Sequence, residues 1–228
     1  MSGSTLIGLP PAIVLVVGLS VLLLATALAG VYLASRSPSV PPGQRAVVFL
    51  TVGGTLVTWF ALVFALGLGG AFRITTAEEF RPTLLLAVLL STALAYILPR
   101  WLEPFRLVLN AVPPHWLIAV HVFRVGFGAV FLLQLAQGLL PAEFALPVGA
   151  GDVVVGAAAP LVGYLVLTQR PGWRAAALIW NLAGMLDFLD TVAIVTLAAP
   201  GPYQQLVLTP PLIPGVFPQS LLPTFVVP

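Results

Sequence analysis

The sequence predicts an all-α polytopic membrane protein, a transmembrane helical bundle with six full spans. Three observations lead to this fold class. Of the 228 residues, 60% are hydrophobic and only 7% are charged, whereas about 25% are charged in an ordinary soluble domain. The mean hydropathy is +1.10. Finally, six apolar runs are long enough to cross the hydrocarbon core of a bilayer, which takes about 20 helical residues.

The six runs together form a predicted transmembrane domain over residues 1–199. They lie near residues 11–34, 46–71, 82–99, 116–140, 152–168 and 175–199. The first run follows ten residues without a basic side chain and is too long for the apolar core of a signal peptide. We therefore expect it to be retained as a helix.

The connection between the third and fourth runs predicts a short amphipathic helix over residues 100–112. Its apolar face would consist of Trp101, Leu102, Phe105 and Leu109. Its polar face would consist of Arg100, Glu103, Arg106 and Asn110. Such a pattern is typical of a helix that lies flat in the membrane interface.

The distribution of arginines predicts the orientation. Six of the nine basic residues lie in the loops 35–45, 100–115 and 169–174, while the alternate connections hold only Arg73 and Arg81. Basic residues are enriched in cytoplasmic loops. These three loops are therefore expected in the cytoplasm and the N-terminus outside.

The C-terminal segment, residues 200–228, contains eight prolines and cannot form one unbroken helix. Its last residues resemble the beginning of a seventh span that is too short to cross. We interpret it as a partial seventh span, truncated at Pro228. The alternative is a segment that packs half-way into the outer face of the bundle.

Charged side chains inside two spans are the main candidates for a functional site. Arg124 lies in the middle of the fourth span, and Asp187 and Asp190 lie well inside the sixth. A charge at this depth costs about 3 kcal/mol on insertion scales and should find a partner. We therefore expect Arg124 to pair with Asp187. Asp190 points the same way as Asp187, because residues three apart lie on one side of a helix.

Five further polar residues are candidates for binding or proton relay. His121 lies one turn before Arg124, and Asn181 continues the polar stripe of the two aspartates. Gln134, Gln137 and Asp152 are expected to close a polar pocket that opens to the outside. Because Asp152 follows two glycines, it is also expected to be the N-cap of the fifth span.

The composition excludes several kinds of chemistry. Without lysine there is no Schiff base for retinal, and without cysteine there is no thiolate metal site. The two histidines lie on one helix and cannot hold a haem between them. No basic stripe for nucleic acid is present. We expect no cofactor and no metal.

The string GAGD at residues 149–152 matches the G-x-G-D motif of intramembrane aspartyl proteases. In those families, however, the second catalytic aspartate precedes the motif and a Pro-Ala-Leu motif follows it. Here the other aspartates come after, and the nearest string is Ala159-Pro160-Leu161. An intramembrane carboxylate enzyme is therefore an alternative that the sequence does not favour.

The stretch HVFRVGFGAVFLLQLAQGLLPAEFALPVGAGD, with WNLAGMLDFLD downstream, resembles an uncharacterised family of bacterial multi-pass integral membrane proteins. The likeness covers roughly residues 115–190. It implies a place in the bacterial inner membrane and a further helix beyond Pro228. The family has no assigned activity, so the resemblance implies no site residue.

These observations lead to three functional hypotheses. The first is a small-solute or proton-coupled binding or transport module, with Arg124 and Asp187 as its central pair and Asp190, Gln134 and Gln137 along its outer approach. The second is a non-catalytic structural or assembly subunit in which the ion pair holds helices together. The third is the carboxylate enzyme. The expected partners are the lipid bilayer and a small solute or protons, and the oligomeric state is left open.

Overall fold

A computed structural model describes residues 11–73, 83–200, 204–210 and 217–226 of the chain, and all regular secondary structure within them is helical. Eight α-helices follow one another in this part of the chain: α1 (Pro11–Ser35), α2 (Arg45–Leu68), α3 (Thr83–Trp101), α4 (Glu103–Ala111), α5 (Pro114–Ala119), α6 (Phe123–Ala136), α7 (Ala142–Thr168) and α8 (Trp173–Ala198). Short 3₁₀ turns precede α2 and join α5 to α6. Residues 1–10, 74–82 (with Arg81), 201–203, 211–216 and 227–228 lie outside the described part of the chain.

The six predicted spans are confirmed as helices that are long and apolar enough to cross a membrane. They are α1, α2, α3, the continuous segment Pro114–Ala136, α7 and α8. Large apolar side chains on their outer surfaces, such as Leu50, Leu86 and Leu186, are more than half exposed. Such surfaces are expected where lipid rather than water is the solvent.

The fifth span begins ten residues earlier than predicted, at Ala142 rather than at Asp152. Glycine has low helix propensity, and Gly149 and Gly151 therefore predicted a boundary. In the structure both glycines lie against neighbouring helices: a Cβ on Gly151 would collide with Asp187, and one on Gly149 would lie a tight 3.2 Å from the Gly128 carbonyl oxygen. Close packing outweighs propensity here. Asp152 consequently lies inside α7, and its prediction as an N-cap was wrong.

The fourth span ends four residues earlier than predicted. The backbone N–H of Leu139 donates to the carbonyl of Gln134, and that of Gly138 donates to the carbonyl of Leu135. Gly138 has φ +68°, a left-handed conformation that glycine adopts without steric cost. These bonds form a Schellman motif, which ends the helix at Ala136.

The chain divides into two compact units, each with its own interior. The described part of the first unit comprises residues 11–19, 114–200 and 204–210. At its centre, α7 packs against α5 and α6 on one side and α8 on another. The described part of the second unit comprises residues 20–73, 83–113 and 217–226. Its core contains Val31, Ala34, Val40, Val48, Val52 and Val108.

The predicted interfacial helix forms over Glu103–Ala111 only, because Leu102 is extended and separates it from α3. The polar side chains Glu103, Arg106 and Asn110 are exposed, as expected. The apolar face, however, is rotated from the predicted one. Val108 is buried in the core of the second unit and Phe105 packs against it, whereas Leu109 is exposed.

Part of the C-terminal segment packs on the bundle. Backbone N–H groups of Gln205 and Leu206 donate to the carbonyl of Leu197 at the end of α8. Further on, a short helix over Leu222–Val226 lies against α2 and α3. Its contacts with α2 include a hydrogen bond from Trp59 Nε1 to the Thr224 carbonyl and the ring pair Phe60–Phe225. Just before this helix, the ring of Phe217 meets that of Phe64 edge to face.

Candidate functional site

Arg124 is the centre of a three-residue ion-pair cluster in the first unit. It is the second residue of α6, directly after the 3₁₀ turn Val120–Val122. Its Nε donates to Asp152 Oδ1 on α7 at 2.7 Å, and its Nη2 donates to Asp187 Oδ2 on α8. The pairing with Asp187 expected from the sequence is therefore present. A second carboxylate, which the sequence did not suggest as a partner, binds the same guanidinium.

The cluster is largely withdrawn from the surface. The side chains of Arg124, Asp152 and Asp187 are 20%, 14% and 10% exposed, respectively. At ~1.5 Å per residue, Asp152 lies about 24 Å from the end of α7 at Thr168, and Asp187 about 21 Å from the start of α8 at Trp173. The two carboxylates thus reach the arginine at similar depth from two antiparallel helices.

Glycines bring the three helices close enough for these bonds. A Cβ at Gly151 would collide with the Asp187 carboxylate, and one at Gly156 would lie 2.7 Å from the backbone nitrogen of Val125. Gly128 and Gly149 face each other between α6 and α7, where a Cβ on Gly128 would lie 2.5 Å from the Gly149 carbonyl oxygen. The G-x-G part of GAGD therefore serves helix packing around the ion pairs.

The charges of the cluster do not balance. With all three groups ionised, one guanidinium faces two carboxylates, which leaves one negative charge. Among the described residues the ion pairs are those of Arg124 alone. An uncompensated charge is costly at membrane depth. The arrangement can therefore lower its energy by taking up a proton or another cation.

His121 and Trp180 lie beside the cluster. Their rings meet edge to face, with centroids 5.1 Å apart. The indole Nε1 of Trp180 donates to the carbonyl of Val155 on α7 at 2.9 Å, which ties α8 to α7. His121 is exposed and lies one turn before Arg124.

The other polar residues of α8 are more accessible. Asp190 and Asn181 are both exposed, and neither forms an ion pair or a side-chain hydrogen bond within the described residues. Asp190 lies one turn beyond Asp187, as the spacing predicted. It adds a second negative charge next to the cluster.

The predicted outer pocket of Gln134, Gln137 and Asp152 is not formed. Asp152 binds Arg124, which lies ten residues and about 15 Å before Gln134 along α6. Gln134 is 1% exposed, and its amide has no hydrogen-bond partner within the described residues. Gln137 is exposed where α6 ends. The prediction assumed that Asp152 begins a span, and the longer α7 places it a third of the way along the helix.

One comparison with known proteins identifies a family. Residues 79–228, well over half of the chain, match the model of a domain of unknown function, DUF8737. No curated protein and no solved structure matches the chain. Arg124, Asp152 and Asp187 all lie within the matched residues. The chain therefore belongs to the DUF8737 family.

Proposed function

We propose that this protein is a small binding or transport module whose Arg124–Asp152–Asp187 cluster binds a proton and couples its movement to a solute. The observation that carries the proposal is the sharing of one guanidinium by two carboxylates from two other helices. Intramembrane ionisable groups are typical of proton relays and substrate pathways.

The proton would reside on Asp152 or Asp187. Both carboxylates face Arg124. His121 lies one turn before Arg124, in the 3₁₀ turn that precedes α6, and Asp190 lies one turn beyond Asp187 on α8. One added proton makes the cluster of three neutral, because it cancels the charge that Arg124 leaves uncompensated. Asp190 and His121 are the exposed groups through which a proton would enter or leave.

Protonation would also change how the helices are held. The ionised cluster fastens α6 to α7 through Asp152 and α6 to α8 through Asp187. A protonated carboxyl group binds a guanidinium much more weakly than a carboxylate does. One of the two connections would therefore loosen, and this is the step that we propose couples the proton to a helix rearrangement.

The test is infrared difference spectroscopy of the purified protein in lipid across a pH titration. We expect a protonated-carboxyl band that is altered by Asp152→Asn and by Asp187→Asn. Glu143→Gln is the matched control, since Glu143 is an exposed carboxylate in the first turn of α7 and should leave the band unchanged. A spectrum that is the same in the wild type and in both aspartate variants would refute a proton-binding cluster.

A purely structural or assembly role is the second candidate, and the glycine contacts favour it. The close approaches at Gly128, Gly151 and Gly156 are those of tightly packed helices. In this case the cluster only holds α6, α7 and α8 in register. Removing one partner of a buried ion pair costs about 3–5 kcal/mol, whereas replacing the whole set with apolar residues can be neutral.

This role predicts that stability returns only when all three charges are removed. Arg124→Leu with Asp187→Leu would leave Asp152 buried without its partner, so this double variant should stay unstable. Adding Asp152→Leu should restore the melting temperature. If the triple variant is stable and retains the binding and transport activity of the wild type, the role of the cluster is structural.

A carboxylate enzyme is less well supported by the geometry. Two catalytic carboxylates of an aspartyl enzyme share a proton directly. Here the guanidinium of Arg124 binds both Asp152 and Asp187. The cation occupies the position in which a shared proton and the attacking water would be needed.

We further infer that the protein resides in the bacterial inner membrane with its N-terminus outside and the loops 35–45, 100–115 and 169–174 in the cytoplasm. The arginine distribution supports this orientation, and the six apolar helices support a membrane location.

A further inference from the structure

We propose that the solute is an amphiphilic cation whose apolar part lies in a groove between α7 and α8 and whose positive group replaces the proton at Asp187. This inference names the solute of the proposed function and rests on it. Three observations support the inference: the groove itself, the residues of α8 that lead from the groove to the cluster, and the charge of the cluster.

The groove lies on the surface of the first unit and has a volume of about 280 Å³. Its walls are almost entirely apolar and include Val154, Val155 and Ala158 on α7 and Ile179, Trp180 and Ala183 on α8. This volume is slightly below the range for pockets that enclose a whole ligand, about 300–1,000 Å³. It can take the apolar part of a small molecule, and it opens sideways, where lipid would surround the helices.

The groove leads to the ion-pair cluster. Ala183 is its last residue on α8, and Asp187 and Asp190 follow four and seven residues later, on the same side of the helix. Asp187 is therefore about 6 Å beyond the end of the groove. On the α7 wall, Val155 lies next to Gly184 of α8. A Cβ on Gly184 would lie 3.6 Å from the side chain of Val155 and 3.5 Å from Nη1 of Arg124. The end of the groove is therefore close to the guanidinium.

The charge at this end selects a cation. Two aspartates surround one arginine, and Asp190 lies exposed one turn further along. The groove residues themselves carry no charge that would neutralise a ligand. An apolar body with one positive group thus matches both parts of the site. A hydrophobic anion would fit the groove but would meet two carboxylates.

Because the cation takes the place of the proton, binding and proton release are linked. The cluster with a proton and the cluster with the cation are both neutral. Each cation bound should therefore release about one proton, which passes to the solution. This exchange is the coupling that a proton-driven module requires.

The experiment uses 2-phenylethylammonium and 3-phenylpropanoate, which carry the same apolar ring on a chain of similar length and have opposite charge at the other end. Their binding to the purified full-length protein is measured by equilibrium dialysis, and proton release is followed in weakly buffered solution. We expect 2-phenylethylammonium to bind and to release about one proton, and 3-phenylpropanoate to release none. Asp187→Asn should abolish the proton release.

Two alanines on α7 provide a matched pair for the groove. Ala158 lines the groove, whereas its neighbour Ala157 is exposed away from it. Ala158→Leu fills the groove and should weaken 2-phenylethylammonium binding about tenfold or more, as added methylene groups do in apolar pockets. Ala157→Leu should leave the affinity unchanged.

The alternatives give different results. Equal binding of both probes without proton release would mean that the groove accepts any apolar molecule, such as a lipid chain. A change of oligomeric state in Ala158→Leu, with unchanged cation binding, would mean that a second copy covers the groove. Either result overturns the inference. The infrared titration without any cation tests the proposed function separately, so the cluster can still bind a proton when the groove proposal fails.

Discussion

Gly151 shows how a single missing side chain determines the geometry of the cluster. It lies on α7 directly before Asp152, and the carboxylate of Asp187 occupies the space where its Cβ would be. Asp152 and Asp187 can both reach Arg124 because α8 approaches α7 so closely at this point. The glycine therefore determines whether the arginine has one acidic partner or two.

We expect Gly151→Ala to separate Asp187 from Arg124 and to destabilise the protein by about 1–3 kcal/mol, the usual cost of overpacking an interior. Alanine favours a helix by about 1 kcal/mol over glycine, so a loss of stability would have to come from the collision. The measurement is the melting temperature in detergent. Gly54→Ala on α2, where nothing lies within 4 Å of the added Cβ, is the control and should be neutral or slightly stabilising. An equal effect of both substitutions would contradict the prediction.

The pairing of Arg124 with Asp187 could be predicted from the sequence because two opposite charges at membrane depth leave few choices. Asp152 could not be assigned in the same way. Its two preceding glycines indicate a helix start when only local propensity is considered. Their actual role depends on which helices lie beside them. Gly149 and Gly156 were a usable signal, because they are seven residues apart and so lie on one face of the helix, and small residues on one face often mark a close helix contact.

At the scale of elements, one tryptophan joins α8 directly to α7, whereas the two ion pairs join each of these helices to α6. Trp180 is 8% exposed, belongs to the core cluster with Val155, Ala159 and Val162, and donates its indole hydrogen to the Val155 carbonyl. This carbonyl lies in the interior of α7, so the indole bond ties α8 to the middle of its neighbour.

Trp180→Phe should lower the stability by about 1 kcal/mol, the net value of one hydrogen bond, plus a smaller loss of packing. The measurement is the melting temperature. Ligand binding is not used, because Trp180 also lines the proposed groove. Trp101→Phe, at a residue that is 81% exposed, removes the same atoms from a free surface and should have no effect. A shift of the same size in both variants would show that the indole bond to Val155 contributes nothing.

The elements themselves were predictable where hydropathy alone defines them. Six long apolar runs gave six helices, since a polar backbone in lipid must form its own hydrogen bonds. Helix ends were less predictable. The orientation of α4 was also missed, because the sequence shows only that a helix has an apolar face. Val108 became the buried residue because the core of the second unit lies on that side.

At the scale of the whole molecule, the arrangement of arginines predicts which loops face the cytoplasm. The chain has no cysteine, so single cysteines can report the side of each loop without a prior substitution. Ser39 and Pro171 are exposed in two loops that we place in the cytoplasm, and Glu143 is exposed at the opposite end of α7 from Pro171. These three positions sample both proposed sides.

We expect Ser39→Cys and Pro171→Cys to react with a membrane-impermeant maleimide only in inverted vesicles, and Glu143→Cys to react only in intact spheroplasts. Leu186→Cys, in the middle of α8 on an exposed apolar surface, should react in neither preparation because lipid covers it. The reverse pattern would invert the orientation and place the α7–α8 loop outside. Asp187 lies about 21 Å from that loop. The side of the membrane on which the loop is labelled is therefore the side from which the cluster is about 21 Å deep. Under the orientation proposed here, Asp190 lies on the outer side of Asp187, and a proton that reaches the cluster through Asp190 would enter from outside.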